Sequence, residues 1–487
     1  MTEFTVEIPD GLPVGETWVP APTTGDVHFP YDGSLVARAP IGDADLARRA
    51  VEEALAVRDV GGRLPSHLRR AALFAAHAAV ADRREDFEKL LVLETGKPLV
   101  DCRVELERTL LTLHTAAEEV ARLHGETVPL DLLPSGEGLL GFWVRRPIGV
   151  VVGISGFNYP LLLAAHKIAP ALAAGCPVIA KPAPQTPLAT LWLVHLVRQA
   201  LVAAGGPAAV VQLVTGGPEV GVALTTDRRI GAVSFTGSAA VGHQIARDAA
   251  PTKVLLELGS NAALVVAADA DLVAAADAVV RGGYYASGQA CISVQRLVVV
   301  ESVREEFLAH VSERLGQVVV GDPRDSSTRV SALIDEQSTA RVLEWVQQAV
   351  AAGATVVRGG DVAGGMIEPA LLVDVPPGQA AWDEEIFGPV VAVRSVADLD
   401  TAFNVVNDSR YGLHASVFTS SLASAFAAID RLEVGGVVVN EVPGFRSDVM
   451  PYGGVKDSGA GREGPRFAID ELTVTRMAVI RPTTRMG

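Results

Sequence analysis

The chain has 487 residues, 49% hydrophobic and 20% charged, which is long enough for about three α/β domains. Its net charge of −16, with no Lys/Arg cluster to offset it, excludes nucleic acid and anionic membrane surfaces as expected partners. Three scattered cysteines do not suit a disulfide framework or a metal site, and the acidic N-terminus is unlike a signal peptide, so we predict a cytoplasmic protein without a membrane span.

Apolar periodicity predicts helices in the first part of the chain, at 44–60, 66–95 and 99–124. After residue 148 the pattern changes to short β-branched runs that alternate with helical segments such as 239–249. The predicted strands lie at 149–153, 177–180, 209–213 and 232–235. Because these runs are apolar on both faces, they indicate a parallel sheet covered by helices. We therefore predict a Rossmann-like, dinucleotide-binding domain formed by residues 1–125 and 148–259.

A second α/β block at 260–446 is predicted to be the catalytic domain. It carries a helix at 271–286 and strands near 296–300, 354–357, 390–394, 415–418 and 436–439. The marginal segments 126–147 and 466–487 contain the strand-like runs Phe142-Trp143-Val144 and Thr473-Val474-Thr475. We expect these runs to pair as a small β extension that serves oligomerisation, because exposed strand edges are usually covered. The predicted assembly is a homodimer or homotetramer.

Cys291 is the strongest candidate for a catalytic side chain. It lies in the polar, turn-prone run Ser287-Gly288-Gln289-Ala290-Cys291, between a predicted helix and a predicted strand. Loops held by a rigid scaffold are where nucleophiles tend to be presented. Cys102, on a helix, and Cys176, just before a strand, fit the commoner role of a small buried apolar residue.

Glu257 ends the apolar run Val254-Leu255-Leu256. A carboxylate in such a setting is costly unless it is neutralised, paired or functional. Burial would raise its pKa in the direction that a general base requires. A structural ion pair is the alternative.

Asn158 comes directly after a predicted buried strand, at the edge of the sheet where open α/β folds bind ligands. Its side-chain amide suits stabilisation of an oxyanion on the substrate. An ordinary turn asparagine is the alternative.

Two further elements suit a dinucleotide. Gly237 and Ser238 lead from a strand into the predicted helix 239–249, so backbone N–H groups and a positive helix end are available to a pyrophosphate. Lys181 is a positive charge at the end of another buried strand, although a surface lysine is the alternative.

In this order, and together with two later motifs, these residues resemble the NAD(P)-dependent aldehyde dehydrogenase superfamily over nearly the whole chain. The later motifs are Glu384-Glu385-Ile386-Phe387-Gly388-Pro389 and Pro451-Tyr452-Gly453-Gly454-Val455-Lys456-Asp457-Ser458-Gly459. The segment 442–452 is most similar to the branch that handles lactaldehyde, glyceraldehyde phosphate and phosphonoacetaldehyde. The resemblance implies oxidation of an aldehyde to a carboxylic acid through a thiohemiacetal and a thioester on Cys291, with hydride transfer to NAD or NADP.

The resemblance also implies individual roles. Cys291 would be the nucleophile, Asn158 and the Cys291 backbone N–H the oxyanion hole, and Glu257 the base that activates the deacylating water. The residues implied at the cofactor are Lys181 at the adenosine ribose, Gly237 and Ser238 at the pyrophosphate, Glu385 at the nicotinamide ribose, Phe387 near the nicotinamide and Phe157 at the floor of the cleft.

Two positions differ from the commonest pattern of the family. Pro184 stands where many NAD-preferring members have a glutamate that contacts the ribose hydroxyls, so the choice between NAD and NADP stays open. Ala290 stands where members that take phosphorylated aldehydes often have an arginine. Arg446 would hold a substrate anion or form a surface salt bridge. Tyr159 and Leu162 would give the pocket an apolar lining, which favours neutral aldehydes over small anionic ones.

Three other functions compete with this hypothesis. A CoA-acylating dehydrogenase commonly lacks the base, whereas Glu257 is present. A catalytically silent scaffold on the same fold would usually have lost Cys291 or Glu257. A cysteine hydrolase needs a histidine partner, and none of the 10 histidines lies in a recognisable motif.

Overall fold

The computed structural model describes residues 8–482. The predictions for the extreme N-terminus and for residues 483–487 of the C-terminal segment lie outside this range. Within it, no helix is both long and apolar enough to cross a membrane. No group of three or more His, Cys, Asp or Glu side chains in the same range is arranged to hold a metal ion.

The first part of the described chain is two hairpins followed by a layer of helices. The hairpins pair Leu12–Val14 with Thr17–Val19 and Thr23–His28 with Leu35–Ile41. The helices are Ala44–Gly61, Ser66–Ala81, Arg84–Thr95 and Leu99–Glu119, the last followed by the 3-10 turn Val120–Arg122. The predicted single helix at 66–95 is wrong, because Arg83 leaves the helical region with φ −111° and ψ 24° and divides it in two.

The first large sheet has six strands and is parallel except at one edge. Its order is Gly459–Ala460, Lys253–Glu257, Ile230–Thr236, Val150–Ile154, Val178–Lys181 and Val211–Leu213, with Gly459–Ala460 antiparallel. The connecting helices are Pro160–Ala174, Leu188–Ala203, Pro218–Thr225 and Ala239–Ala249, with a 3-10 turn at Ala208–Val210. Numbered along the parallel strands, the order is 3-2-1-4-5, which confirms the Rossmann-like topology.

The second large sheet has seven strands, and its first strand is antiparallel. The order is Thr355–Arg358, Ala370–Val373, Val390–Val396, Arg296–Val300, Ala263–Val266, His414–Phe418 and Gly436–Val439. The α-helices of this region are Leu272–Tyr284, Arg304–Leu315, Glu336–Ala351, Ala380–Asp383, Leu399–Asn407 and Leu422–Arg431. Short elements connect them, namely Tyr285–Gly288, Glu301–Val303, the hairpin Val362–Ala363 with Met366–Ile367, and Tyr411–Gly412 paired with Val455–Lys456.

A third, three-stranded sheet joins the two marginal segments. Leu140–Pro147 pairs antiparallel with Thr473–Ile480 on one side and with Glu126–Val128 on the other, and a 3-10 turn at Pro134–Gly136 lies between its first two strands. The expected pairing of these segments is confirmed. However, helix Pro465–Glu471, at the start of the predicted C-terminal extension, packs against Pro160–Ala174 rather than joining this sheet.

Candidate active site

A cavity of about 760 Å³ is lined by residues that follow strands of both large sheets. Most of the residues singled out in the sequence line it. They are Phe157, Asn158, Tyr159, Leu162, Gly237, Ser238, Glu257, Cys291, Glu385, Phe387 and Arg446. Lys181 and Pro184 are not among the lining residues.

The strand order explains why these side chains meet. Open α/β sheets bind ligands where the strand order reverses, beyond the carboxyl ends of the strands. In the first sheet that point lies between Val150–Ile154 and Ile230–Thr236. Asn158 follows the first of these strands and Gly237 follows the second, so both reach the same crevice.

Cys291 ends a loop, residues 285–291, that we call the Cys291 loop. Its side chain is partly buried, and Sγ lies 3.1 Å from the hydroxyl of Tyr452. Burial raises the pKa of the Cys291 thiol to about 11, and the bond to Tyr452 acts in the opposite direction. The thiol is therefore protonated at neutral pH and has to lose its proton before it can act as a nucleophile.

Asn158 and the Cys291 loop are joined directly. Asn158 Nδ2 donates to the carbonyl oxygen of Gln289 at 2.9 Å. The side-chain amide of Asn158 is therefore bound to Gln289, which lies two residues before Cys291 in the chain. This arrangement places the candidate oxyanion donor beside the loop that carries the candidate nucleophile, as the hypothesis requires.

Glu257 lies at the end of Lys253–Glu257, with 6% of its surface exposed. Its Oε2 has no hydrogen-bond partner among the described residues. Burial, followed by the nearby carboxylate of Glu463, raises the pKa of Glu257 well above its ordinary value. A Cβ at Gly453, where φ is +158°, would stand 2.6 Å from the backbone oxygen of Gly461 and 3.0 Å from Glu257 Oε1, so a larger residue there would force the chain beside Glu257 to shift.

Glu463 is the centre of a buried group of charges beside Glu257. Lys167 Nζ and Arg446 Nη2 both donate to its carboxylate, and His166 Nδ1 lies 3.1 Å from Oε2. These cationic and hydrogen-bonding partners hold the pKa of Glu463 well below its ordinary value despite burial. Of the two neighbouring carboxyl groups, Glu463 therefore holds a negative charge more readily than Glu257.

Arg446 belongs to the same buried group. Its guanidinium pairs with Asp448 at 3.3 Å and with Glu463 at 3.1 Å, and it lies 3.6 Å above the centre of the Tyr452 ring. Only 6% of the side chain is exposed, so the surface salt bridge considered from the sequence is wrong. Arg446 lines the cavity, but its guanidinium is already paired with the carboxylates of Asp448 and Glu463.

Arg108, which the sequence did not single out, lines the cavity from helix Leu99–Glu119. It donates two bonds of 2.9 Å to Asp448, from Nε and Nη2, and 22% of its side chain is exposed. It is therefore the more exposed of the two arginines that pair with Asp448. No local pattern marks an arginine on a long amphipathic helix as functional.

The groups expected at a dinucleotide fit that ligand chemically. Ser238 is the N-cap of Ala239–Ala249 and its side chain makes no capping bond, so the positive helix end opens into the cavity. Glu385 accepts a hydrogen bond from Ser260 N at 3.0 Å, and burial raises its pKa to about 7. Phe157 and Phe387 meet edge to face, with ring centres 5.7 Å apart.

Lys181 lies at the end of Val178–Lys181, in the strand next to the crevice. Burial lowers its pKa to about 8, and the nearby Glu219 acts in the opposite direction. A buried lysine whose charge is costly favours an anionic or hydroxyl-rich ligand beside it. The alternative that Lys181 is an exposed surface lysine is therefore wrong. Pro184, three residues later, is exposed.

Several residues of the site were missed in the sequence. Glu463 lies between glycines in the run Gly461-Arg462-Glu463-Gly464, close to the motif at 451–459. This position could have marked it as a candidate. The role of Asp448 depends on contacts with residues more than two hundred positions away, and no local pattern reports such contacts.

Comparison with known proteins agrees with this geometry. The profile of the aldehyde dehydrogenase family matches residues 18–478. The 3-sulfolactaldehyde dehydrogenase of Priestia megaterium is 38% identical over 481 residues, covering 99% of this chain and 100% of that protein.

Solved structures agree as well. Glyceraldehyde-3-phosphate dehydrogenase from Methanocaldococcus jannaschii, complexed with NADP, is 32% identical with a TM-score of 0.91, covering 95% of this chain and 100% of that one. Betaine aldehyde dehydrogenase from Staphylococcus aureus, in complex with NAD+, is 28% identical with a TM-score of 0.93, covering 99% and 96%. Relatives of the same fold therefore bind either cofactor.

Proposed function

Since this chain belongs to the aldehyde dehydrogenase family and oxidises an aldehyde to a carboxylic acid with NAD or NADP, we propose that Cys291, Asn158 and Glu257 carry out the chemistry. The observation that carries this proposal is their meeting in one cavity, where one carboxyl oxygen of Glu257 has no hydrogen-bond partner among residues 8–482. The same observation favours hydrolysis over transfer to CoA, because an unpaired buried carboxyl beside a thiol suits activation of water.

In the first half of the reaction, Cys291 releases its proton to solvent water and the thiolate adds to the aldehyde carbon. Asn158 Nδ2 and the Cys291 backbone N–H then donate to the oxygen that becomes negative. The nicotinamide ring, when bound, accepts the hydride that leaves this carbon. The product of this half-reaction is a thioester on Cys291.

In the second half, the Glu257 carboxylate takes a proton from a water molecule while the water oxygen attacks the thioester carbon. The carbon–sulfur bond breaks, the carboxylic acid leaves, and Cys291 is free again. The raised pKa of Glu257 makes it a strong base once it is ionised. Lys167 and Arg446, beside it, favour that ionised form.

The cofactor is held by groups from both sheets. Ser238 and Gly237 would face the pyrophosphate, Lys181 the adenosine ribose and Glu385 the nicotinamide ribose, with Phe157 and Phe387 packing along the cleft. Pro184 presents no carboxylate to repel a 2′-phosphate, and Lys181 attracts one. We therefore propose measurable activity with both NAD and NADP.

The substrate we propose is a small aldehyde that carries an anionic group. Arg108 offers the guanidinium for such a group, because it is the more exposed of the two arginines that pair with Asp448, at 22% of its side chain against 6% for Arg446. Tyr159 and Leu162 belong to a small buried apolar cluster beside the Cys291 loop and would pack against the carbon chain of the substrate. Taken alone, this apolar lining favours neutral aldehydes. The names of two similar proteins, which specify 3-sulfolactaldehyde and glyceraldehyde-3-phosphate, support the anionic choice.

Trapping the acyl group tests the mechanism. Glu257→Gln is mixed with substrate and cofactor, digested, and analysed by mass spectrometry for acylation of the Cys291 peptide. We expect that peptide to be acylated, and the Cys176 peptide to serve as an unmodified control in the same digest. Acyl label on neither peptide, in enzyme that still reduces cofactor in a burst, would contradict the thioester on Cys291.

The substrate is tested with matched aldehydes, lactaldehyde and 3-sulfolactaldehyde, which differ in the sulfonate. We expect Arg108→Gln to raise KM for the sulfonated aldehyde about 10-fold or more and to change KM for lactaldehyde little. Arg281→Gln is the matched control, because Arg281 also lines the cavity but pairs with Glu441 and is 63% exposed. An equal effect of Arg108→Gln on both aldehydes would rule out the anion-binding role.

We also propose a homodimer or homotetramer assembled through the three-stranded sheet, in a cytoplasmic location. Exposed apolar side chains on or beside this sheet support the first part. They are Leu132, Leu133, Leu140, Val479 and Ile480. The three free cysteines suit a reducing compartment. Sedimentation of the wild type and of Val479→Asp/Ile480→Asp tests the assembly, and cell fractionation tests the location.

A further inference from the structure

The Cys291 loop begins with an unusual backbone. Ala286, Ser287 and Gly288 follow one another with φ of 49°, 56° and 75°, which is the left-handed region. Among the described residues, Ala286 and Ser287 are the only adjacent pair of non-glycine residues with positive φ. Two successive side chains in this region are costly, so the conformation persists only where surrounding contacts enforce it.

Asp101 provides one of the contacts that enforce it. Its Oδ2 accepts a hydrogen bond from Ala286 N at 2.9 Å, from a position 185 residues earlier in the chain. Ser287 is held separately, because its hydroxyl donates to Ser331 O at 3.1 Å and accepts from Ser331 N at 2.9 Å. Asp101 is therefore the partner of the first left-handed residue, and Ser331 the partner of the second.

The helix that carries Asp101 also holds the opposite side of the site. One turn later, Glu105 Oε1 accepts from Leu161 N at 2.9 Å and from Leu162 N at 3.2 Å. These N–H groups belong to the first turn of Pro160–Ala174, which begins two residues after Asn158. Helix Leu99–Glu119 thus contacts both the segment after Asn158 and the start of the Cys291 loop.

We propose that Asp101 is a positioning residue for Cys291, holding the left-handed start of its loop so that the thiol stays aligned with Asn158. The proposal rests on the proposed function, in which Cys291 is the nucleophile. Asp101 acts through Ala286 N and does not have to touch the reacting atoms. Without this acceptor, Ala286 is free to relax toward the right-handed region, which moves the chain leading to Cys291.

A second role for Asp101 has to be separated from this one. Asp101 lies in the first turn of Leu99–Glu119, where a negative charge stabilises the helix. Asp101→Asn removes the charge but keeps an oxygen that can accept from Ala286 N. Asp101→Ala and Asp101→Ser remove an acceptor of sufficient reach, and serine is well tolerated at a helix start.

The experiment measures the rate of the NADH burst, the rate of Cys291 alkylation by iodoacetamide, and the Kd for NAD. For Asp101→Ala we expect the burst to slow about 100-fold and alkylation to slow as well, with Kd changed less than about 2-fold. Asp101→Asn should stay within about 3-fold of the wild type in all three. If Asp101→Ala does not fold, Asp101→Ser carries the same expectation.

A rescue variant sharpens the test. Because glycine adopts positive φ without strain, Ala286→Gly in the Asp101→Ala background should recover at least about 5-fold of the lost burst rate. A burst in Asp101→Ala equal to the wild type, or equal losses in the alanine and asparagine variants, would overturn the proposal. Failure of the proposed function has a different signature, because Cys291→Ala would then retain its burst.

Discussion

The Cys291 loop and the end of strand Lys253–Glu257 meet in one cavity, but they are built differently. The loop departs from regular structure, and side chains from distant parts of the sequence hold its left-handed residues. The strand end is regular, with Glu257 paired in register between Thr236 and Gly459. What is unusual at Glu257 is its electrostatic setting, in which a buried carboxyl lies beside an ionised one.

This difference indicates that the two proposed catalytic groups need different kinds of support. A nucleophile must attack along one direction, so its position has to be fixed. A base must have a suitable pKa, so its surroundings have to be charged and dry. Variants at the Cys291 loop should therefore change acylation, and variants around Glu257 should change deacylation and its pH dependence.

The largest expected effect is that of Cys291→Ala. We expect oxidation to fall by about 10⁴-fold or more, because the thiol takes part in every step, while NAD binding is unchanged. Steady-state rates and a binding titration measure the two quantities. Cys176→Ala is the control, since this buried thiol, whose pKa burial raises to about 11, should affect only stability. Oxidation at the wild-type rate in Cys291→Ala would disprove the mechanism.

Glu257→Gln should have the next largest effect, on the opposite half of the reaction. We expect a burst of NADH at close to the wild-type rate, followed by turnover reduced about 100- to 1000-fold. Because the pKa of Glu257 is raised, its carboxylate forms as pH increases, so wild-type kcat should rise with pH. Stopped-flow absorbance over a pH series checks both points. If kcat of Glu257→Gln still rises with pH, a group other than Glu257 causes the pH dependence.

The buried charges should matter for stability. Arg446→Met removes a buried cationic partner of both Asp448 and Glu463, which keep His166 as a shared contact, so we expect a loss of up to about 3–5 kcal/mol in the free energy of unfolding. Urea unfolding monitored by fluorescence measures this loss. Arg108→Met, which removes a more exposed partner of Asp448, should cost clearly less. Equal losses in the two variants would mean that the deeper burial of Arg446 does not increase its contribution to the free energy of unfolding.

The smallest expected effect lies away from both catalytic groups. Pro184→Glu should shift the ratio of kcat/KM for NAD over NADP by about 10-fold toward NAD, through repulsion of the 2′-phosphate. Cys291 alkylation and the burst rate with NAD should change little. A wild type that shows no activity with NADP at any concentration would mean that another group already excludes the phosphate.

Helices, strands and the residues at strand ends could be predicted from the sequence. The side-chain contacts between distant elements could not. The parallel strands around Val150–Ile154 follow from apolar runs, and Asn158, Gly237 and Glu257 follow from their positions after such runs. Arg108 and Asp448 were missed because their pairing joins positions 340 residues apart. Arg446 was found, but its burial beside His166, 280 positions away, could not be predicted from a local pattern. Asp101 gave no signal, since a first-turn aspartate is ordinary in any helix.

The short strand Gly459–Ala460, which pairs with Leu256 and Glu257, has a consequence for how the protein is made. Asp448, Glu463 and this strand are synthesised after the other five strands of the first sheet. Until they are made, the first sheet lacks an edge strand and Glu257 lacks its neighbour Glu463. The first sheet therefore cannot be completed until the chain has been synthesised past Ala460, although its earlier strands emerge first. A nascent chain that already carries Cys291 has no finished site in which to use it.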